Sequence, residues 1–450
     1  MPGLSREREA LAVHIIKVLR DHNLKAFLVG GCVRDRLWNI APKDFDVSTE
    51  ARPEQVISLF PQAQLVGAKF GVVLVRRTND VCVEVATFRS EGNYADGRHP
   101  QDVQFETDPV LDAQRRDFTI NGLFEDPLSG RIYDFVDGQR DLERRLLRTI
   151  GTPDRRFEED YLRLLRGVRF AARFQLSVEE ETMRSTQRFA PRIVCISAER
   201  IREELVRILT EGGARYGFEL LDRAGLLEHV LPEVKACQGV QQPPEFHPEG
   251  DVWEHVLIML GSMQEPSRTL AWGVLLHDIG KPPTFRVAER IRFDGHAEVG
   301  TEMTRNRLTQ LKASNEDIER VSSLVANHMK FKDVPHMRVS TLKRFLRTPH
   351  FDEHLELHRL DSLASNGRTD VYEYLRSKLV EFQAEQLRPP RLLSGDDLIQ
   401  AGYRPGPEFK KVIELTETAQ LEGEIETREQ ALAMAQKILD DGQAVHNRRT

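Results

Sequence analysis

The sequence predicts a mixed α/β head followed by a long all-helical body, and three observations carry that reading. Strand-like runs of β-branched and aromatic residues are confined to residues 1–150. Helix periodicity dominates from about residue 155 to the end. Proline-rich breaks then divide the helical part. At 450 residues the chain exceeds one ordinary core and predicts two to four domains. A hydrophobic share of 40% and a charged share of 30% fit a soluble globular protein.

Taken in order, Met1 to Asn23 mixes charge into an amphipathic helix pattern rather than the apolar region of a signal peptide. Phe27 to Val29, Phe45 to Ser48, Val72 to Arg76, Val81 to Phe88 and Ile132 to Phe135 read as strands bounded by Gly, Asp or Asn. Glu159 to Arg166 reads as helix, with Leu162, Leu165, Val168 and Phe170 beginning an apolar row. Glu199 to Leu209 follows Ser197, a candidate N-cap. Gln241-Gln242-Pro243-Pro244 and Arg388-Pro389-Pro390 interrupt the helices. These signals divide the chain into a head (1–150), a helical neck (151–238), a further helical domain (239–385) and a helical tail (386–450).

No apolar run approaches the roughly 20 residues needed to span a bilayer, so no membrane partner is expected. Cys32, Cys82, Cys195 and Cys237 lack the paired spacing of a zinc site or disulfide framework, which predicts a reducing cytoplasm. A net charge of −7 argues against a protein that coats nucleic acid along its whole surface. Between Gln139 and Phe174, however, ten arginines and no lysine stand against six acids. Arginine suits forked contacts to phosphates or base edges, although such a run also reads as a solvated helix face.

Three constellations carry chemistry. Leu28-Val29-Gly30-Gly31-Cys32-Val33-Arg34-Asp35 runs from strand into helix. Paired glycines let backbone N–H groups approach a phosphate chain, the helix N-terminus favours negative charge, and Arg34 can neutralise a triphosphate oxygen. Without Gly-Lys-Ser/Thr this is not a P-loop, and alone it is only a turn. Just downstream, Lys43-Asp44-Phe45-Asp46-Val47 places two carboxylates two residues apart. On a strand they share one face while Phe45 and Val47 enter the core. Carboxylates forced together call for a cation, and Mg²⁺ accepts carboxylate and phosphate oxygens in its octahedral shell. Two such ions activate a ribose hydroxyl and stabilise leaving pyrophosphate. Glu84 is a candidate third carboxylate. In Arg115-Arg116-Asp117-Phe118-Thr119-Ile120-Asn121, Arg116 reads as a triphosphate contact and Asp117 as its orienting acid or a sugar ligand. The same residues equally read as a surface ion pair.

The second constellation is Asp160, Arg163 and Arg166, spaced to share a helix face. An acceptor beside a donor fork matches the Watson–Crick edge of a base, and equally an intrahelical ion pair. The third gathers His255, His277, Asp278, His296, His328 and Asp361. Imidazoles with carboxylates favour a divalent transition metal over Ca²⁺.

The stretches LVGGCVRD, KDFDV, RRDFTIN, EDYLRLLRGVRF and SAERIREEL, in that order, resemble the class II tRNA nucleotidyltransferase and bacterial poly(A) polymerase family. The resemblance implies a polymerase-β-like nucleotidyltransferase head with Asp44 and Asp46 as catalytic Mg²⁺ ligands. It implies nucleotide contacts from Gly31, Arg34, Arg116, Arg163 and Arg166, with Asp160 and Arg163 reading the base. Gly122 departs from the Ala usual after the Asn. The histidines resemble the HD phosphohydrolase superfamily, which implies an HD-type helical domain with His255, His277, Asp278 and Asp361 as ligands. His296 and His328 fit its two-metal versions. Gly402 to Pro407 resembles the C-terminal region of the HD-bearing subgroup, and reads equally as a plain loop. The implied activity is addition of C, C and A to tRNA 3′ ends from CTP and ATP, with an accessory phosphohydrolase. The rivals are a poly(A) polymerase and an HD phosphohydrolase whose head is inactive. The sparse basic tail favours tRNA over general RNA, and oligomeric state is not legible.

Overall fold

The computed structural model describes residues 2–67, 70–78, 80–92, 103–245, 247–382, 387 and 389–446. It divides into two compact units. The first holds residues 1–238, 263–271 and 306–314, and the second holds 239–262, 272–305 and 315–450.

The first unit opens with α1 (Pro2–Asp21), whose Leu11, Ile15, Ile16 and Leu19 recur at helical spacing and are buried. The strands are β1 (Ala26–Val29), β2 (Asp46–Thr49), β3 (Ala63–Gly67), β4 (Val72–Arg76), β5 (Cys82–Thr87), β6 (Arg89–Glu91), β7 (Val103–Phe105), β8 (Leu123–Asp126) and β9 (Arg131–Asp134). Seven of them form one sheet in the order β3-β4-β5-β2-β1-β8-β9, with β6 and β7 as a separate ribbon. Only the β2/β5 pair in the large sheet is parallel. On β5 the alternation buries Val83 and Val85 and leaves Glu84 on the opposite, open face. Helices α2 (Gly31–Leu37), α3 (Pro53–Leu59), α4 (Pro109–Gln114) and α5 (Gly138–Glu143) complete the head.

Two strands of the large sheet are absent from the sequence expectation for physical reasons. β3 is an edge strand whose Leu65 is exposed, so it lacks an alternating pattern. β8 carries Glu125 and Asp126 into a buried setting, where Arg36 (3.1 Å) and Arg20 (3.6 Å) balance them.

The neck adds β10 (Leu146–Leu147), α6 (Pro153–Glu159), α7 (Leu162–Phe174), β11 (Ser177–Val178), α8 (Glu180–Phe189), α9 (Ala198–Thr210), α10 (Ala214–Arg223), α11 (Leu227–Val230) and α12 (Pro232–Lys235). The helix expected over Glu159 to Arg166 is broken at Asp160. That residue has extended backbone (φ −153°, ψ 106°), and its Oδ1 accepts from the Leu162 N–H at 3.0 Å, starting α7. A short acceptor at a helix start does better as a cap than inside a continuous helix. Ser197 stands at the N-cap of α9 without a side-chain capping bond.

In the second unit α13 (Val252–Ser262), α14 (Arg268–Leu276) and α15 (Lys281–Thr284) lead to a hairpin of β12 (Arg286–Val287) and β13 (Ile291–Arg292). Residues 268–271 of α14 belong to the first unit. Then follow α16 (His296–Gln310), whose last turn also belongs to the first unit, α17 (Asn315–Asn327), α18 (Val339–Leu346), α19 (Phe351–Ala364) and α20 (Asp370–Glu381). A final group, α21 (Gly395–Gln400), α22 (Pro407–Glu422) and α23 (Arg428–His446), has its own core around Leu398, Val412, Ala431 and Ala435. Gly402 to Pro405 is the loop joining α21 to α22, and the Tyr403 hydroxyl donates to Asp440 at 3.0 Å. Of the Arg388-Pro389-Pro390 break, Arg388 lies outside the described residues. Among the described residues no helix is long and apolar enough to cross a membrane.

Candidate active site

A cleft of about 600 Å³ in the first unit is lined by Gly31, Arg34, Asp44, Asp46, Arg116, Asp160, Arg163 and Arg166, which brings all eight head and neck candidates together. Nine arginines and Lys43 line it against six carboxylates, a surplus of positive charge that suits a polyanion. The turn that opens it depends on Gly30, at φ +73°, where a side chain would be strained and its Cβ would lie 3.1 Å from Arg116 Nη1. Cys32 beside it is no nucleophile, because burial pushes its thiol up to about 12.

Asp46 begins β2 and stands in register with Glu84 of β5. Loss of solvent around the carboxyl, then the charge of Glu84, lift Asp46 to about 6; Arg116 opposes this and Asp44 adds to it. Asp46 beside the like charge of Glu84 is a donor pair that a divalent cation would relieve, so the residues fit one. Asp44 departs from the sequence expectation. It precedes the strand rather than sharing its face with Asp46, its side chain is 78% exposed, and Arg8 holds its Oδ1 at 2.7 Å.

The arginines are held in place by partners that the sequence reading did not assign. Arg34 is buried, donates to Asp35 (2.9 and 2.6 Å) and to Asn121 Oδ1 (2.5 Å), and lies 4.3 Å from the Phe174 ring centre. Asn121 donates in turn to Asp117 Oδ1 (3.1 Å), and Asp117 Oδ2 accepts two bonds from Arg166 (3.0 and 2.7 Å). Arg34, Asn121, Asp117 and Arg166 therefore form one hydrogen-bonded chain. Although burial works against its charge, Asp117 is held well below the ordinary carboxylate range by the Arg166 guanidinium. Arg116 is oriented not by Asp117 but by Asp112 Oδ2 (3.0 Å), and it also donates to Ser48 (3.2 Å).

Asp160 and Arg163 do not pair with each other. Asp160 Oδ2 accepts from Arg200 of α9 at 3.0 Å, while Arg163 donates to Glu159 at 2.5 Å and to the Arg156 carbonyl at 2.9 Å. The helix break at Asp160 turns its carboxylate toward α9. Arg200 sits in the quoted SAERIREEL stretch and Asn121 in RRDFTIN, so the motifs contained these residues without revealing their partners.

The second unit gathers the histidines. Ligand atoms of His255, His277 and Asp361 lie within 4.8 Å of one another, as do those of Asp278, His296 and His328. Asp44, Asp46 and Glu84 make no such group among the described residues. Backbone carbonyls fix three of the rings. Nδ1 of His277 donates to Val274 (2.9 Å), of His296 to Phe293 (2.8 Å) and of His328 to Val325 (2.6 Å). Glu249 receives the Nδ1 of His255 at 2.6 Å. The Nε2 atoms of His277, His296 and His328 are thereby turned inward. Burial, with the charge of His277, pushes His328 down to about 4, and burial also lowers His296, so both rings are neutral. Their Nε2 atoms face each other at 3.1 Å, acceptor to acceptor. Nε2 of His255 and of His277 each lie beside a carboxylate oxygen, of Asp361 at 3.2 Å and of Asp278 at 3.1 Å; although burial disfavours its charge, the bonds to Asp361 and Glu249 raise His255 to about 9. The opposed acceptors of His296 and His328, with the carboxylate of Asp278 beside them, fit a metal ion. A cavity of about 820 Å³ opens onto His277, Asp278, His296, His328 and Asp361, with Lys281, Arg290, Arg292 and Lys332 around it. His255 is fully buried behind them.

A carboxylate-bearing mixed sheet and an arginine-lined cleft define the class of nucleotidyltransferases, here joined to a histidine-rich helical unit. Residues 26–148 match the Poly A polymerase head domain, 175–238 the probable RNA and SrmB-binding site of polymerase A, and 251–365 the HD domain. Over 314 residues the chain is 35% identical to the CCA-adding enzyme of Enterococcus faecalis, covering 70% of this chain and 69% of that protein. It is 35% identical over 237 residues to poly(A) polymerase I of Haemophilus influenzae, covering 50% and 52%. The crystal structure of the Bacillus stearothermophilus CCA-adding enzyme in complex with CTP superimposes with a TM-score of 0.73 at 25% identity, covering 96% of this chain and 98% of that one. The chain belongs to the family of CCA-adding enzymes and poly(A) polymerases. It spans about half to two thirds of the length of the curated relatives it matches.

Proposed function

We propose that this chain adds C, C and A to tRNA 3′ ends from CTP and ATP with release of pyrophosphate. The observation that carries the reading is that one cleft is lined by the carboxylates Asp44 and Asp46, the Arg34–Asn121–Asp117–Arg166 chain, and both Asp160 and Arg163. The names of the relatives, CCA-adding enzymes for the most part, support the same choice.

Asp44 and Asp46, with Glu84 in register beside Asp46, would hold Mg²⁺. When bound, Mg²⁺ supplies activation of the primer hydroxyl and neutralisation of the leaving pyrophosphate. The protein's own part is positioning. Arg34, Arg116 and Arg166 bind the triphosphate from orientations already fixed by Asp35, Asp112 and Asp117, so little side-chain freedom is lost when the nucleotide arrives. The backbone at Gly31 approaches the phosphates at the start of α2. Asp160 accepts from the exocyclic amine that cytosine and adenine share, and Arg163 donates to a ring acceptor. Arg200 holds Asp160 and Glu159 holds Arg163, and the base takes their place.

The test is incorporation of labelled CTP and ATP, separately and together, into tRNA transcripts lacking CCA, with unstructured RNA as competing primer. Addition that stops after three nucleotides on tRNA is the expected outcome. Long ATP-only tails on either primer would make the chain a poly(A) polymerase, a reading favoured by the Haemophilus influenzae relative.

The facing His296 and His328 nitrogens support a second reading for the other unit, a phosphohydrolase centre. His255, His277, Asp278 and Asp361, with His296 and His328, would hold divalent transition metals, and Lys281, Arg290, Arg292 and Lys332 would attract an anionic phosphoester. Hydrolysis of a chromogenic phosphodiester that Asp278→Ala abolishes is the expected result.

A further inference from the structure

The head-domain match begins at residue 26, so it leaves α1 without a role. One face of α1 nevertheless grips the segment that carries Asp44. Ser5 Oγ donates to the Pro42 carbonyl at 2.7 Å. One turn on, Arg8 Nη1 donates to the Lys43 carbonyl at 2.9 Å and to Asp44 Oδ1 at 2.7 Å. The same guanidinium reaches the Asp80 carbonyl through Nε (3.3 Å) and Nη2 (3.2 Å), just before β5 and its Glu84. Next along the face, Glu9 accepts from Arg36 of α2 at 2.8 Å. Arg8 does not line the cleft. It stands behind the carboxylates and ties together the two chain segments from which they project.

We infer that Arg8 is a positioning residue for the head metal centre, fixing Asp44 through one carboxylate oxygen and the flanking backbone while Oδ2 stays available to a cation. The inference rests on the proposed role of Asp44 and Asp46. Asp44 precedes the strand and is largely exposed, so no ladder hydrogen bond orients it, and the α1 contacts supply what the sheet does not. An arginine so near a cation site could alternatively weaken it by repulsion. At this exposed carboxylate water screens that repulsion, and the fixed geometry outweighs it.

The test is Mn²⁺ titration by electron paramagnetic resonance of the full chain carrying Asp278→Ala, so that the histidine centre contributes least. Arg8→Gln and Arg8→Lys are compared with the unaltered residue, and nucleotide binding and melting temperature are measured alongside. Both variants are expected to bind Mn²⁺ roughly tenfold more weakly, as for other residues that orient a metal ligand. Nucleotide affinity without metal and melting temperature should stay unchanged. Lysine keeps the charge but cannot reach both carbonyls and the carboxylate at once, and it serves as the measurement if Arg8→Gln fails to fold. Unchanged or tighter Mn²⁺ binding in Arg8→Lys would overturn the inference. Asp46→Asn distinguishes the two levels. If it removes the titrated site while Arg8 variants bind normally, only the role of Arg8 falls. If it leaves Mn²⁺ binding intact, the carboxylate reading falls and takes the inference with it.

Discussion

In the arginine-lined cleft, Arg34, Arg116, Arg163, Arg166 and Arg200 each hold a carboxylate of the same unit, whereas in the histidine centre His296 and His328 turn acceptors toward each other across 3.1 Å. The first site satisfies itself with interchangeable partners; the second satisfies its outer nitrogens with fixed backbone carbonyls and leaves its inner ones unmatched. A site that must admit and release a charged nucleotide at every turnover benefits from partners that can be exchanged. A site in which two neutral, buried imidazoles turn acceptors toward each other is relieved by a cation. The contrast extends to the carboxylates. Asp44 is exposed and tied to Arg8, while Asp278 is buried among His277, His296, His328 and Lys281.

The largest expected effect separates the two regions outright. Asp46→Asn should lower nucleotide incorporation on the order of 10²- to 10³-fold or more, since it removes a preorganised electrostatic group at the reacting phosphate. Phosphoester hydrolysis should be untouched. Asp278→Asn should reverse the pattern, abolishing hydrolysis and leaving incorporation within about twofold. Steady-state rates of both reactions in both variants check this, and full incorporation by Asp46→Asn would break the assignment of the head.

Metal retention sharpens the comparison at smaller magnitude. After desalting without chelator, elemental analysis should find metal retained by the wild type and lost in Asp278→Asn, because the exposed head carboxylates release theirs on desalting. Removing that metal with a strong chelator should lower the melting transition of the second unit. A ligand present at about 100 times its dissociation constant stabilises by roughly 2.7 kcal/mol. Incorporation should return with Mg²⁺ alone, without refilling the histidine centre. Equal metal loss from both sites on desalting would erase the proposed difference between exchangeable and kept cations.

How much of this was legible in the sequence depends on whether a residue's role is local. The β-branched runs of β4 and β5 announced themselves because alternation and burial coincide there, and the helical second unit did so through its periodicity. The buried charges of β8 hid a strand, since Glu125 and Asp126 read as loop until Arg36 and Arg20 arrive from elsewhere in the chain. In the site, types and order of residues were legible and partners were not. Asp160 and Arg163 are three residues apart, and spacing alone makes them a pair. A helix break gives them to Arg200 and Glu159 instead, 40 and 4 residues away. Arg8 lies 36 residues before Asp44 and outside any recognised motif, so only the folded chain connects them.

The smallest effect concerns the internal pairing of the cleft itself. Asp117 is 7% exposed and accepts from Arg166, Asn121 and the Phe118 backbone. Burial alone would raise its pKa; Arg166 and the hydrogen bonds more than offset that and depress it. A carboxyl depressed on folding contributes stability that is fully present above its unfolded value, about 3.9, and is lost as pH falls toward the lower folded value. Asp117→Asn keeps the shape and removes the titration. It should therefore melt below the wild type near neutral pH by about 1–3 kcal/mol, the usual cost of losing a hydrogen bond to a charged group. That gap should close as pH drops from about 4 toward 2. Arg166 is one-third exposed, so water takes over part of the lost pairing and keeps the difference modest. Melting curves of both proteins across that range decide the matter. A gap that stays constant with pH would mean that the depressed Asp117 titration contributes nothing to folding, and that the cleft's arginines are held by packing against Phe170 and Phe174 rather than by their carboxylate partners.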